Sequence, residues 1–347
     1  VNPPEEAAGV VTLDLGELRQ VLEVDTTSRS ARIQAGVFGP DLEAQLKPQG
    51  LTLRHFPQSF EHSTLGGWIA TRSGGHYATN HTHIDDFVES LRMLTPSGVI
   101  QSRRLPGSGA APSPDRLAIG SEGILGVITE AWMRVQARPR YRASAGVRYG
   151  TWESAYEAVR QIAQAKLWPA NLRVLDPVEA HNAAGLDGDT ALVVVGFESA
   201  EVPQRAAMEQ AIAIAREAGG QVEEDEILID DGQGTLTGRK GAVGAWRGSF
   251  IRAPYQANLH IGLGMVAETI ETSITWDLWP AFDAAVREAI SRELREICGS
   301  AGILSCRFTH VYPDGPAPYY TVVAPGRQGA EIEQFWAIKE AASAALL

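Results

Sequence analysis

Arg252 stands in the run Trp246-Arg247-Gly248-Ser249-Phe250-Ile251-Arg252-Ala253-Pro254. A guanidinium is a planar fork suited to bidentate binding of a phosphate or carboxylate. Further on come Tyr312, Tyr319 and Tyr320, and a phenol can pass a proton where positive charge lies close to it. By residue type alone, Arg252 also fits a plain surface arginine, and the tyrosines fit an aromatic strand face. Two glycine-rich stretches complete the set. Residues 57–75 hold four glycines and five hydroxyl side chains around Trp68-Ile69-Ala70. Residues 119–129 carry Gly120, Gly123 and Gly126 before the β-branched Val127-Ile128-Thr129. Glycine lets backbone approach a ligand with no Cβ in the way, and Ser and Thr add short donors. Both stretches fit a cofactor cradle; a glycine-capped turn and a glycine-bulged strand fit the same residues.

Other clusters point less far. His55, His62, His76, His81 and His83 fall within thirty residues, at spacings that match no common zinc set, and read as loop histidines near a cofactor. Glu223, Glu224, Asp225, Glu226, Asp230 and Asp231 lack the spacing of a calcium loop and read as a solvated acidic segment.

The elements that must position these residues follow from pattern. Val10 to Leu13 predicts a strand, and Leu15, Leu18, Val21 and Leu22 a helix interrupted by Gly16. Alternation over Ala31–Ala35 predicts a half-buried strand, and Pro40–Leu46 a short helix closed by Gly50. Glu89–Leu94 and Val99-Ile100 pair as a hairpin through Thr95-Pro96-Ser97-Gly98, and Val127–Thr129 forms a strand edge. Past a boundary at Pro139-Arg140, Ala145–Tyr149 is a strand. Trp152, Ala155, Tyr156, Val159, Ile162 and Ala163 then lie on one helix face started by Thr151. Strands at 172–175 and 192–195 and a helix at 203–218 complete a ferredoxin-like order. The apolar face of a helix at 280–297 packs into a core.

The motifs together resemble a known family. Pro57, Ser59, Ser63-Thr64-Leu65-Gly66-Gly67 and Ala70-Thr71 resemble the flavin loop of the vanillyl-alcohol-oxidase type of FAD-binding domain, in wording closest to the alkyldihydroxyacetonephosphate synthases. Gly120-Ser121-Glu122-Gly123-Ile124-Leu125-Gly126 resembles the second flavin-lining segment. Ile251-Arg252 upstream of Ile270-Glu271-Thr272-Ser273-Ile274-Thr275-Trp276 resembles the synthases' arginine segment, and residues 309–320 their tyrosine-bearing strand–turn–strand. The resemblance departs at Tyr320, where the family usually has Phe, and at His81-Thr82 ahead of His83-Ile84-Asp85-Asp86.

The resemblance implies an α+β protein: a PCMH-type FAD-binding domain over residues 1–139 and a ferredoxin-like cap or substrate domain over 140–347. It implies FAD contacts from Pro57, Ser59, Ser63, Thr64, Gly66, Gly67, Ala70 and Thr71, and from Glu122, Gly123, Gly126, Val127 and Ile128. It implies phosphate binding by Arg252 and proton transfer by Tyr319, with no metal. The implied reaction exchanges the acyl group of acyl-dihydroxyacetone phosphate for a fatty alcohol, with no net redox change. A flavin-linked 2-hydroxyacid dehydrogenase and a non-catalytic scaffold are the alternatives. The family's glycine-rich pyrophosphate loop and its histidine triplet are not among residues 1–347, so the expectation is a partial chain that binds FAD weakly or not at all.

Composition narrows the setting. The chain has 347 residues, 44% hydrophobic and 21% charged, enough for two cored domains. A net charge of −12 argues against a nucleic-acid surface, which needs a basic field. Two cysteines, Cys298 and Cys306, make no disulfide framework and favour a reducing, cytoplasmic setting. No stretch reaches the ~20 apolar residues of a membrane span, so lipid contact would be peripheral. The expected partner is a small lipid phosphate, with homodimer formation left open.

Overall fold

The computed structural model describes residues 9–76, 83–107, 112–234, 241–300 and 302–346. The chain divides into two compact units, Val1–Gly75 with Thr82–Arg138, and His76–His81 with Pro139–Leu347.

In the first unit the elements run β1 (Val21–Asp25), β2 (Ser30–Gln34), α1 (Gly39–Leu46), β3 (Leu51–Thr52), α2 (Leu65–Ala70), α3 (Ile84–Phe87), β4 (Val88–Thr95), β5 (Gly98–Gln101), α4 (Pro114–Ala118), β6 (Val127–Arg134) and β7 (Gln136–Ala137). Five strands form an antiparallel sheet ordered β1-β2-β6-β4-β5, and β3 pairs with β7. Three expectations fail here. Val10, Val11 and Leu13 are exposed and in no strand, and the apolar spacing read as a helix over 15–22 ends in β1. Val21 and Val24 are both partly buried against the core, so residues spaced for a helix serve a strand beside β2. Val127–Thr129 opens β6, the middle strand and not an edge, which fits its β-branched run, Ile128 and Thr129 being buried on opposite sides of the ladder.

The second unit runs β8 (Tyr141–Tyr149), α5 (Trp152–Gln164), β9 (Asn171–Leu175), α6 (Pro177–Ala184), β10 (Ala191–Ser199), α7 (Arg205–Glu217), β11 (Leu228–Asp231), α8 (Gly241–Gly262), β12 (Met265–Glu271), α9 (Trp279–Cys298), β13 (Ile303–Val311), β14 (Pro316–Pro325) and α10 (Glu331–Ala345). Its sheet is ordered β11-β8-β10-β9-β13-β14-β12, every pair antiparallel. The first four strands in this list are the fourth, first, third and second of a ferredoxin-like set, with α6 added between the second and third. The order β13-β14-β12 repeats the same scheme as second, third and first. The two half-sheets join where Arg307 of β13 faces Leu175 of β9.

Period-two alternation gives this sheet two unlike faces. One face carries Val147, Val174, Val195, Phe308, Tyr320 and Val322, buried under α5, α7, α9 and α10 in one large core. At ~1.5–3 kcal/mol per fully buried large apolar side chain, this core dominates the unit's stability. The other face has only a small apolar cluster, where Leu175, Leu192 and Val194 meet α6 and α8 through Ala180, Val243 and Trp246. Beside that cluster the same face carries the polar side chains Asn171, Arg173, Ser305, Arg307, Thr309, Tyr319 and Glu271.

Candidate functional site

In the first unit, the loop before α2 is built on aromatic rings. Phe56 and Phe60 lie 4.8 Å apart, and Phe60 stacks on Trp68 at 6.1 Å. Trp68 Nε1 donates to Ser63 Oγ at 2.7 Å, and Ser63 Oγ donates to the Ser59 carbonyl at 2.8 Å. Thr64 caps α2 by accepting from the Gly67 N–H, while Thr71 Oγ1 donates to the Gly67 carbonyl at 3.0 Å. The hydroxyls that composition offers as ligand donors are therefore largely used inside the loop, where they fix its shape. Gly66 is buried because a Cβ there would lie 2.7 Å from Ala35 Cβ, and its N–H donates to the Ala35 carbonyl at 2.7 Å. Gly67 faces outward, and Pro57 begins the turn, its carbonyl accepting from the Phe60 N–H.

The second glycine segment meets the first. The Gly120 N–H donates to the Ile69 carbonyl at 3.0 Å and the Glu122 N–H to the Ala70 carbonyl at 2.8 Å. The carbonyls left open at the end of α2 are thus closed by the loop that sequence reading paired with it only by resemblance. Glu122 and Gly123 have φ of 51° and 84°, both are exposed, and a Cβ on Gly123 would meet nothing within 4 Å. Gly126 is different: its φ is 157° and a Cβ would lie 2.2 Å from the Leu94 carbonyl oxygen. Val127 is partly buried, and Ile128 is buried in the core of this unit.

Three features of this unit go beyond what the sequence reading assigned. Ser121 Oγ is buried with no hydrogen-bond partner among the described residues. Arg72, at the end of α2, has a φ of 54° and pairs with Asp85 at 3.2 Å; only a positive φ on a non-glycine residue marks it. His55 is buried between Trp68 and Phe87, its Nε2 2.8 Å from Ser73 Oγ. Burial, with a smaller contribution from His83, holds its pKa down at about 3, so the ring is neutral. Of the other histidines, His62 and His83 lie in this unit, and His81 is outside the described residues. No group of three or more potential metal ligands occurs among the described residues.

In the second unit, Arg252 is exposed on α8. Among the described residues no hydrogen bond or ion pair ties it to Tyr319. Tyr319 is half-buried on the polar face of β14. Directly opposite it in the ladders stand Arg307 of β13 and Glu271 of β12. The Arg307 guanidinium lies over the Tyr319 ring, 4.3 Å from its centroid, well inside cation–π range. Glu271 accepts from Thr309 Oγ1, which a bulge in β13 between Phe308 and His310 sets off the regular ladder. Arg173 of β9 donates to the Thr309 carbonyl at 2.6 Å, and His76 lies 2.9 Å from Asn171 Nδ2 and stacks on Trp246. Sequence reading missed Arg307. Its signal was the polar alternation Ser305, Arg307, Thr309 against Cys306 and Phe308.

Tyr320 points the other way. Its hydroxyl donates to Asp283 Oδ1 at 2.8 Å, and Trp152 Nε1 donates to Asp283 Oδ2 at 3.0 Å. Arg287 joins Asp283 to Asp176 by 2.9 Å ion pairs. Burial first, then the anionic groups around it, push the Tyr320 phenol well above its usual range. It stays protonated and structural.

The acidic segment is not simply solvated. Glu226 makes a bidentate pair with Arg148 at 2.6 Å, Glu224 pairs with Arg216, and Asp231 with Arg205. Asp230 Oδ1 accepts three N–H groups from the turn at 232–234.

Comparison with known proteins agrees with this layout. The pattern of the FAD binding domain matches residues 2–103, and that of the FAD linked oxidases, C-terminal domain, matches residues 138–346. The chain belongs to the FAD-linked oxidases. Within that family it is 41% identical to an alkyldihydroxyacetonephosphate synthase of Dictyostelium discoideum over 179 residues, 52% of this chain and 29% of the relative. It is 28% identical to the Caenorhabditis elegans protein of that name, over 92% of this chain and 56% of the relative. A solved alkyldihydroxyacetonephosphate synthase superposes with a TM-score of 0.80 at 26% identity, covering 96% of this chain and 62% of that one. The chain thus spans from under a third to about three fifths of the synthases it matches. Glycolate oxidase subunit GlcD of Bacillus subtilis is 31% identical over 48% of this chain.

FAD is the cofactor of this family. In the first unit, Gly67 and Gly123 leave room for close approach, Ser121 Oγ has no hydrogen-bond partner among the described residues, and the two loops are hydrogen-bonded to each other. Ser63, Gly66, Gly126 and Ile128 already have packing or hydrogen-bonding duties within the unit.

Proposed function

We propose that this FAD-linked oxidase acts as an alkyldihydroxyacetonephosphate synthase, exchanging the acyl chain of acyl-dihydroxyacetone phosphate for a fatty alcohol. The observation that carries this reading is the half-exposed Tyr319 phenol, flanked in register by the cation Arg307 and the anion Glu271. Likeness to the synthases through both units supports it.

In this reading, the exposed Arg252 fork grips the substrate phosphate through paired N–H donors. Tyr319 moves the proton that the departing acid and the entering alcohol require at the reacting carbon. FAD, when bound, supplies an electron-accepting ring, seated by the loops 57–71 and 120–128. The lipid is met from outside the bilayer; among the described residues no helix is long and apolar enough to cross a membrane.

The test supplies acyl-dihydroxyacetone phosphate and a long-chain alcohol to the purified full-length protein. Release of fatty acid with formation of the ether, and no net flavin reduction, is expected. Anaerobic bleaching of the flavin by D-lactate, with no exchange, would overturn the reading in favour of a 2-hydroxyacid dehydrogenase.

A further inference from the structure

We propose that Arg307 is a positioning residue, which Glu179 anchors and which in turn holds the Tyr319 ring in the orientation where its phenol exchanges a proton. The role of the phenol rests on the synthase reading above; the anchoring of the ring does not.

The arrangement begins in the sequence Asp176-Pro177-Val178-Glu179. Asp176 is the N-cap of α6, its side chain accepting from the Glu179 N–H at 2.8 Å, and Pro177 fills the first helical position. A glutamate three residues after a cap ordinarily reaches back to the cap's own N–H. Here the Asp176 N–H is already given to the Cys306 carbonyl at 3.0 Å, and Asp176 Oδ2 accepts from the Cys306 N–H at 2.7 Å. The Glu179 carboxylate is therefore released from capping and turns to β13. Its Oε1 accepts from Arg307 at 2.8 Å, and its Oε2 accepts from Ser305 Oγ at 2.7 Å.

Arg307 is 8% exposed and Glu179 7%. The Arg307 Nε has no hydrogen-bond partner among the described residues, so Glu179 at one end and the Tyr319 ring on its face set the guanidinium plane. Cα register puts Arg307 directly beside Tyr319, and the 4.3 Å stack leaves the ring little freedom to tilt. A buried ion pair is seldom the most stable filling for such a space; an apolar pair of like volume commonly serves a fold as well or better. What the apolar pair cannot do is hold a flat cation against the half-buried Tyr319 phenol. That difference assigns the pair to Tyr319.

The experiment uses the full-length protein with 13C-labelled tyrosine rings, the Tyr319 signal being identified by its loss in Tyr319→Phe. The double variant Glu179→Met with Arg307→Met removes both charges and leaves the Ser305 hydroxyl as the one donor without its acceptor. It is expected to unfold near the wild-type temperature, to shift and mobilise the Tyr319 ring signal, and to lower kcat for acyl–alkyl exchange by about tenfold to a hundredfold with little change in KM. Arg307→Lys keeps a cation for Glu179 but loses the flat face. It carries the same readouts if the double variant does not fold, with an intermediate loss expected. An unchanged Tyr319 ring signal, in whichever variant is folded, would overturn the proposal, as would an unchanged kcat. If the wild-type protein shows no exchange at all, the functional reading fails, and the ring signal alone still decides the anchoring.

Discussion

Tyr319 and Tyr320 are adjacent on one strand, yet each belongs to a different face of the seven-stranded sheet. Tyr320 faces the large core, where Asp283 accepts from its hydroxyl and from Trp152, and Arg287 closes the network. Tyr319 faces the polar side, where it is half-exposed beneath a fixed cation. The difference teaches that a tyrosine's capacity for chemistry is set by what its strand neighbours across the ladder bring to the same face. A buried phenol with a carboxylate partner is locked as a donor; a half-exposed phenol beside a guanidinium is left able to act.

The comparison can be broken most forcefully at Asp283. Asp283→Ala would leave the partly buried Arg287 with one partner fewer and two donors unmet, and urea denaturation should show a loss of about 3 kcal/mol. A loss below 1 kcal/mol would mean that the core face does not depend on its polar network. Next in size, Tyr319→Phe should slow acyl–alkyl exchange by about a hundredfold while shifting stability by no more than ~0.5 kcal/mol. A large loss of stability there would erase the distinction between the faces.

Tyr320→Phe should do the reverse, costing about 1 kcal/mol of stability and leaving the exchange rate near wild type. The smallest effect lies in alkali. The folded-state pKa of Tyr320 is raised above its ordinary value of 10. The stability it adds is thus complete below pH 10 and is lost as pH rises beyond it, because the unfolded chain gives up the proton first. Denaturation followed between pH 9 and 11 should fall more gently for Tyr320→Phe than for the wild type, and parallel curves would contradict the burial of this phenol.

Where a signal was local, the sequence could be read. The Thr151 cap and the apolar face of α5 are carried by residues within four of one another, and clustered glycines announced both loops. The stretch 15–22 was misread because Leu15, Leu18, Val21 and Leu22 satisfy a helical period, while the pairing partner that makes β1 a strand is set by register with β2. The row Glu271, Tyr319, Arg307 was hidden for the same reason: three strands must align before the residues become neighbours. The doubling of the ferredoxin-like order left no repeated wording, since either half needs only apolar alternation and helices of the right length.

The join of β9 to β13 has one more consequence. Arg307 both faces Leu175 across that seam and stacks on Tyr319. Were the seam to slip by one residue, period two would turn Arg307 into the hydrocarbon core and push Phe308 out against Glu179. An unpaired guanidinium in that core would cost far more than any contact such a slip could recover. The charge that orients a phenol thereby also proofreads the assembly, rejecting a misaligned join between the two half-sheets before it can persist.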